Sequence, residues 1–155
     1  MTDYAQLYAQ LEQLNALIDK HSQHSSTVSE VSVGWHIAHS YLVIIKSCES
    51  FLQNPEKPKG INKWWFKQLL FFFLKRIPRN KVKAPKMVMP EAAHIEPEQL
   101  RSYYCEAKSL INRVSKRRSG YMSHPFLGPI KSDKFPLFLC IHTGHHLQII
   151  NEISQ

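Results

Sequence analysis

The stretch Lys134–Ile153, KFPLFLCIHTGHHLQIINEI, decides how the rest of the chain is read. Successive residues of an α-helix advance by about 100°, so with His142 at the origin Phe135, Phe138, Leu139, Ile149 and Ile153 fall within roughly 60° of it. That is one apolar face, and it predicts a core-facing helix over these twenty positions. His146 lies about 40° from His142 and one turn further on, so both imidazoles share this face. His145 lies about 60° to the other side, at the edge of the stripe. Two imidazoles at i and i+4 can point at one cation, the arrangement that HExxH helices use. A single helix does not readily supply a third ligand at that height, so another helix must.

Outward from this segment the apolar spacing predicts further helices. Tyr4, Leu7, Tyr8, Leu11, Leu14 and Ile18 recur at three and four within Thr2–His21. A polar, turn-like stretch, Ser22–Ser29, offers several candidate N-caps. A second helix is expected over Val31–Gln53, with Ala38, Tyr41, Leu42, Ile45, Cys48 and Leu52 on one stripe and a start just after Gly34 as the alternative. Asn54–Gly60 (NPEKPKG) is a connector, because two prolines and a glycine break helices. A short, very apolar helix is expected over Asn62–Ile77. Pro78–Glu96 has no usable period and reads as an extended segment lying across the helices. Pro97 and Glu98 suit a helix start, and the 3-4 repeat from Leu100 to Val114 ends in Lys116-Arg117-Arg118-Ser119-Gly120. The stretch YMSHPFLGPIKSD (121–133) reads as a loop, with Ser132 or Asp133 capping the last helix. The expectation is therefore an all-α single domain over residues 1–155. It is an antiparallel bundle of four long helices, with one short extra helix and a long irregular connector.

Composition narrows the class. The chain has 155 residues, 43% hydrophobic and 21% charged, which excludes a disordered or collagen-like protein. Five glycines are too few for a turn-rich β-sandwich. Three cysteines without CxxC spacing form neither a disulfide framework nor a zinc knuckle and suit a reducing, cytoplasmic setting. No signal peptide is read, and Trp64–Leu74 falls short of the roughly 20 residues that span a bilayer. The net charge of +8 favours acidic partners without choosing one.

Nine histidines are the unusual feature. The second helix carries WHIAH, and both His36 and His39 are candidates for the third ligand. His39 flanks Ala38 and Leu42 and so sits nearer the apolar stripe, whereas His36 lies about 60° away. Three histidines leave a position open for water or substrate, as catalytic rather than closed sites do. Ligand type alone admits zinc, nickel, iron or manganese. The plainer alternative for any one of these histidines is a neutral core residue bonded to a carbonyl or a tyrosine. For the pair His142 and His146, burying two imidazoles without partners costs about 1–3 kcal/mol each, and a shared cation makes that intelligible.

The segments VGWHIAHSYLVI (33–44) and HPFLGPI…FLCIHTGHHLQII (124–150) resemble the DinB/YfiT-like superfamily. More narrowly they resemble a bacterial member family of unknown function with an HPFFG-type loop and a terminal H…HHL motif. The resemblance runs from the second helix to the end of the chain. It implies a metal-binding four-helix bundle, often dimeric, whose ligands are one histidine of the second helix and an HxxxH pair of the last. Carried over, these are His39, His142 and His146. Many relatives follow the last histidine with a glycine-glutamine pair, whereas Leu147 and Gln148 stand here. Thiol-dependent transferases and metal-dependent hydrolases occur in the superfamily, which implies an unknown small-molecule substrate and leaves room for a low-molecular-weight thiol.

Other residues are weighed in the same way. His124 is either a donor lining the pocket or a loop anchor, with Pro125 and Phe126 plugging the bundle end; the anchor is preferred. His94 is placed on the surface, and His21 and His24 at the end of the first helix. Cys140 projects about 160° from the histidine face and makes a poor nucleophile; Cys48 reads as core packing. Tyr103 or Tyr104 could reach toward a metal, but core packing with a peripheral hydroxyl is the simpler expectation. No carboxylate lies on either histidine face within one turn of a ligand, so the base expected is a water on the cation, whose pKa a metal lowers. Two alternatives stand beside the metalloenzyme. One is a non-catalytic, structural metal site. The other is association of the basic segment 75–86, the Arg113–Arg118 cluster and Trp64, Trp65 and Phe66 with nucleic acid or an anionic membrane.

Overall fold

A computed structural model describes residues 4–53, 65–74, 77, 85–91 and 95–155. Among them are five α-helices, α1 (Tyr4–Ala16), α2 (Val33–Gln53), α3 (Trp65–Leu74), α4 (Pro97–Ser115) and α5 (Phe135–Ile153), and two strands, β1 (Tyr121–His124) and β2 (Gly128–Lys131). Short 3-10 turns lie at Ile18–Lys20 and Lys86–Val88.

Helix α2 is the centre of the molecule. Its two faces carry fourteen buried residues, from Val33 to Phe51, and it packs on α4 and on α5, while α1 packs on the same two helices. The predicted stripes meet in this core: Leu7, Leu11 and Leu14 of α1, Ile37, Ala38, Tyr41 and Ile44 of α2, Leu100, Ala107, Ile111 and Val114 of α4, and Leu139 and Ile150 of α5 are all fully buried. Each fully buried aliphatic side chain contributes about 1.5–3 kcal/mol, which is why the apolar period dictates which face turns inward. Ser32 starts α2, its hydroxyl accepting a hydrogen bond from the Trp35 N–H at 3.3 Å, the N-cap geometry. Gly34 lies inside the helix rather than before it, where a Cβ would stand 3.0 Å from the His21 carbonyl oxygen.

The molecule is mostly helical, close to the all-α expectation, but the expected loop at 121–133 holds a small β-hairpin. Tyr121 pairs with Lys131, Met122 with Ile130 and His124 with Gly128 in antiparallel register. Met122 and Ile130 face the core from opposite strands, and Gly128 re-enters the ladder at φ +69°, a left-handed value that suits glycine. The alternation was short, and two prolines obscured it. Gln68 of α3 ties down the turn by donating to the carbonyls of Leu127 and Pro129 at 2.7 and 2.9 Å. Neither Ser132 nor Asp133 caps α5, which starts after Lys134 with no side-chain cap and Pro136 in its first turn. The predicted connector 54–60, most of the 78–96 segment and both ends of the predicted 62–77 helix lie outside the described residues. Among the described residues no helix is long and apolar enough to cross a membrane.

Candidate metal centre

Helices α2 and α5 bring His39, His142 and His146 together. One ligand-capable atom from each lies within 4.8 Å of the others, and the ring centroids stand 4.7, 4.7 and 5.2 Å apart. Two nitrogens on one cation at about 2.1 Å each stand no more than about 4.2 Å apart, so small side-chain movements bring this group onto a single ion. His39 and His146 are buried, and His142 retains some exposure.

The backbone prepares His39 for such a role. Its Nδ1 lies 2.8 Å from the Val88 carbonyl oxygen. A carbonyl only accepts, so Nδ1 carries the hydrogen and Nε2 keeps its lone pair. Trp35 stacks on the same ring at 5.0 Å and 12°, fixing its plane. An imidazole held by a carbonyl on one nitrogen and open on the other is the usual setting of a metal-ligating histidine. The carbonyl comes from the Lys86–Val88 turn, a fragment of the segment expected to lie across the helices.

His142 has a buried Nδ1 with no hydrogen-bond partner among the described residues. Leaving such a group unsatisfied costs about 1–3 kcal/mol, and a cation in the cluster offers a reason to accept that cost. Burial pushes the pKa of His39 below its ordinary value, and the Val88 hydrogen bond opposes this only in part. His142 and His146 are driven well below 6.5 by burial first and then by the neighbouring histidines. All three rings are therefore uncharged at neutral pH, the form that ligates metal. Besides burial and the Val88 carbonyl, the groups that shift these rings are neighbouring histidines. The donor set fits a divalent, imidazole-binding cation such as zinc or nickel.

The other sequence candidates take different places. His36 is not in the cluster but backs it, its Nδ1 3.0 Å from His146 Nδ1. This contact, like the Val88 carbonyl, was missed: helical spacing put His36 a step to the side without saying what it would meet. His145 stands edge-on to His146 at 5.1 Å and lines the cleft between α1 and α5 with Gln6, Gln10 and Gln148. Gln148 is exposed and donates to Glu152 at 3.2 Å, on the outside of the helix. His124 is the loop anchor: its Nδ1 accepts the backbone N–H groups of Phe126 and Leu127 at 3.1 and 3.0 Å. The plug is Leu127, however, since Phe126 is 46% exposed and Pro125 is also exposed.

Neither tyrosine turns to the cluster. Tyr104 bonds Glu12 at 2.7 Å, and Tyr103 accepts from Gln99 at 2.9 Å. Cys140 is buried, and Cys48 is buried with its thiol pushed up to about 12 chiefly by that burial. His21 does sit at the end of the first helical region, with its Nδ1 3.1 Å from the Ile18 carbonyl oxygen. His94, Trp64 and the basic residues from Lys75 to Lys83 lie outside the described residues, as do the side chains of Trp65 and Phe66. No curated protein and no solved structure matches the chain. The model of the family described as "Protein of unknown function (DUF1569)" matches residues 2–153, and the chain belongs to that family.

Proposed function

We propose that His39, His142 and His146 hold one divalent metal ion and that the protein uses it on a small molecule, as a metal-dependent hydrolase or thiol-dependent transferase. The observation that carries this reading is the convergence of three uncharged imidazoles from two helices. One has its Nδ1 hydrogen committed to a carbonyl, and another has a buried nitrogen without a partner among the described residues. The packing of α1, α2, α4 and α5 on one another, with the histidines on the second and last of these, supports a bundle of the DinB/YfiT type.

When bound, a divalent cation would act as a Lewis acid and lower the pKa of a water at an open coordination position. The protein's own residues orient and insulate. Val88 and Trp35 fix the His39 ring, Phe138 packs 6.4 Å from His142, and His39 and His146 are buried while His142 keeps some exposure. A second reading, a non-catalytic metal site, draws on the cluster's donors being histidines alone among the described residues. Elemental analysis of purified wild type beside a His142→Ala/His146→Ala double variant tests the metal in both readings. About one equivalent is expected in the first protein and none in the second. Equal metal content in the two would overturn the proposal. Exchange of water at a substituted cobalt(II) ion, read by its visible spectrum with added thiols or anions, separates an open reactive site from a closed structural one.

A further inference from the structure

His36 lies one helical turn before His39 on α2, is 5% exposed, and stands between two polar groups. Its Nδ1 is 3.0 Å from His146 Nδ1, and its Nε2 is 2.9 Å from Ser29 Oγ. Ser29 Oγ in turn accepts the Val31 N–H at 3.2 Å. Two Nδ1 atoms at hydrogen-bond distance share one hydrogen between them, so the chain has two settings. In the first, His146 Nδ1–H donates to His36 Nδ1. His36 then carries its hydrogen on Nε2 and donates it to Ser29 Oγ, and His146 Nε2 is bare. In the second, His36 Nδ1–H donates to His146 Nδ1. The hydrogen of His146 then sits on Nε2, and Ser29 turns its own O–H toward the bare Nε2 of His36. A hydroxyl can donate or accept, so Ser29 serves both settings. In the second setting, neither nitrogen of His146 has a lone pair to offer a cation.

We infer that His36, backed by Ser29, is a positioning residue that holds His146 in the tautomer whose Nε2 can ligate metal. The inference rests on the metal reading above and deepens it. The two supports are of different kinds: His39 is oriented by a carbonyl, which allows one setting only, whereas His146 is oriented by a partner that can reverse. A cation on His146 therefore sets the hydrogens of His36 and Ser29 as well, with no net change in protonation. Outer partners of this sort raise ligand basicity and fix ring orientation, and their loss typically costs roughly 10–100-fold in metal affinity.

The experiment uses the full chain, zinc(II) in competition with a chelating dye, and four proteins: wild type, His39→Ala, His36→Leu and His36→Asn. The leucine removes the acceptor and fills its space; the asparagine places a carbonyl oxygen near the position of Nδ1. Zinc affinity should drop by about 10–100-fold in His36→Leu and recover in His36→Asn. In parallel, long-range 1H–15N spectra of the zinc-loaded wild type should show His146 protonated at Nδ1 and His36 at Nε2. This arm needs no variant, so it decides the matter even where His36→Leu does not fold. If zinc binds wild type, fails to bind His39→Ala and binds His36→Leu as tightly as wild type, the role of His36 is overturned while the metal site stands. A hydrogen on His36 Nδ1 in the loaded protein overturns it too. Wild type that takes up no zinc overturns both readings.

Discussion

His39 and His124 are both embedded in the protein and both hydrogen-bonded to backbone through Nδ1, yet they are opposites. His39 meets a carbonyl at 2.8 Å, so its Nδ1 donates and its Nε2 is bare. His124 meets two N–H groups at 3.1 and 3.0 Å, so its Nδ1 accepts and its hydrogen sits on Nε2. The first arrangement prepares a ligand, and the second ties a hairpin turn to the molecule. Residue type and the use of Nδ1 are shared; the polarity of the backbone partner separates a candidate metal ligand from an anchor.

Substitutions can break that contrast. The largest effect expected is on metal: His39→Ala should lose more zinc affinity than the roughly 10–100-fold typical of an outer partner, while His124→Ala keeps wild-type affinity in the same dye competition. Comparable losses in both would erase the distinction. The next effect is on acid stability. Burial lowers the His124 pKa to about 4, against 6.5 in the unfolded chain. The folded form thus resists a proton that the unfolded chain accepts. Its stability is full above pH 6.5 and falls as the pH drops toward 4, by up to about 3 kcal/mol. His124→Asn keeps an acceptor for the two N–H groups and removes the titration. Urea unfolding with chelator present should therefore show wild type losing more stability than this variant across that window. Parallel losses would mean that His124 is not held neutral.

Two smaller effects sharpen the anchor side. His124→Ala leaves the Phe126 and Leu127 N–H groups without their acceptor and should lower stability at pH 7 by about 1–2 kcal/mol, read as a shift in the urea midpoint. Gly128→Ala forces a Cβ into φ +69° at the end of the same turn; a cost of about 1 kcal/mol, with zinc binding unchanged, is expected.

Much of this could be read along the chain because a helix converts spacing into a face. His142 and His146 are four apart among residues that must be buried, and that alone placed both rings inward. The helices over 33–53, 97–115 and 135–153 follow from the same periodicity within a residue or two at either end. The hairpin was hidden because each strand has only four residues, with its core contact reduced to Met122 against Ile130. So brief an alternation carries little periodic signal. The sequence preferred His39 to His36 by its place nearer the apolar stripe, and His39 is the ring that joins the cluster, but what His36 would meet was hidden. Three residues apart on α2, both are buried, and their hydrogen-bond partners differ, the Val88 carbonyl for His39 and Ser29 and His146 for His36.

From its residues alone this protein was bound to make amphipathic helices and to turn two histidines of the last one inward, since hydrophobic burial acts through local spacing. Which nitrogen of His39 carries hydrogen, and what stands behind His146, depended on a carbonyl 49 positions from His39 and an imidazole 110 positions from His146. Hydrogen bonds are directional and reach only about 3 Å, so such partners exist only once the chain has folded.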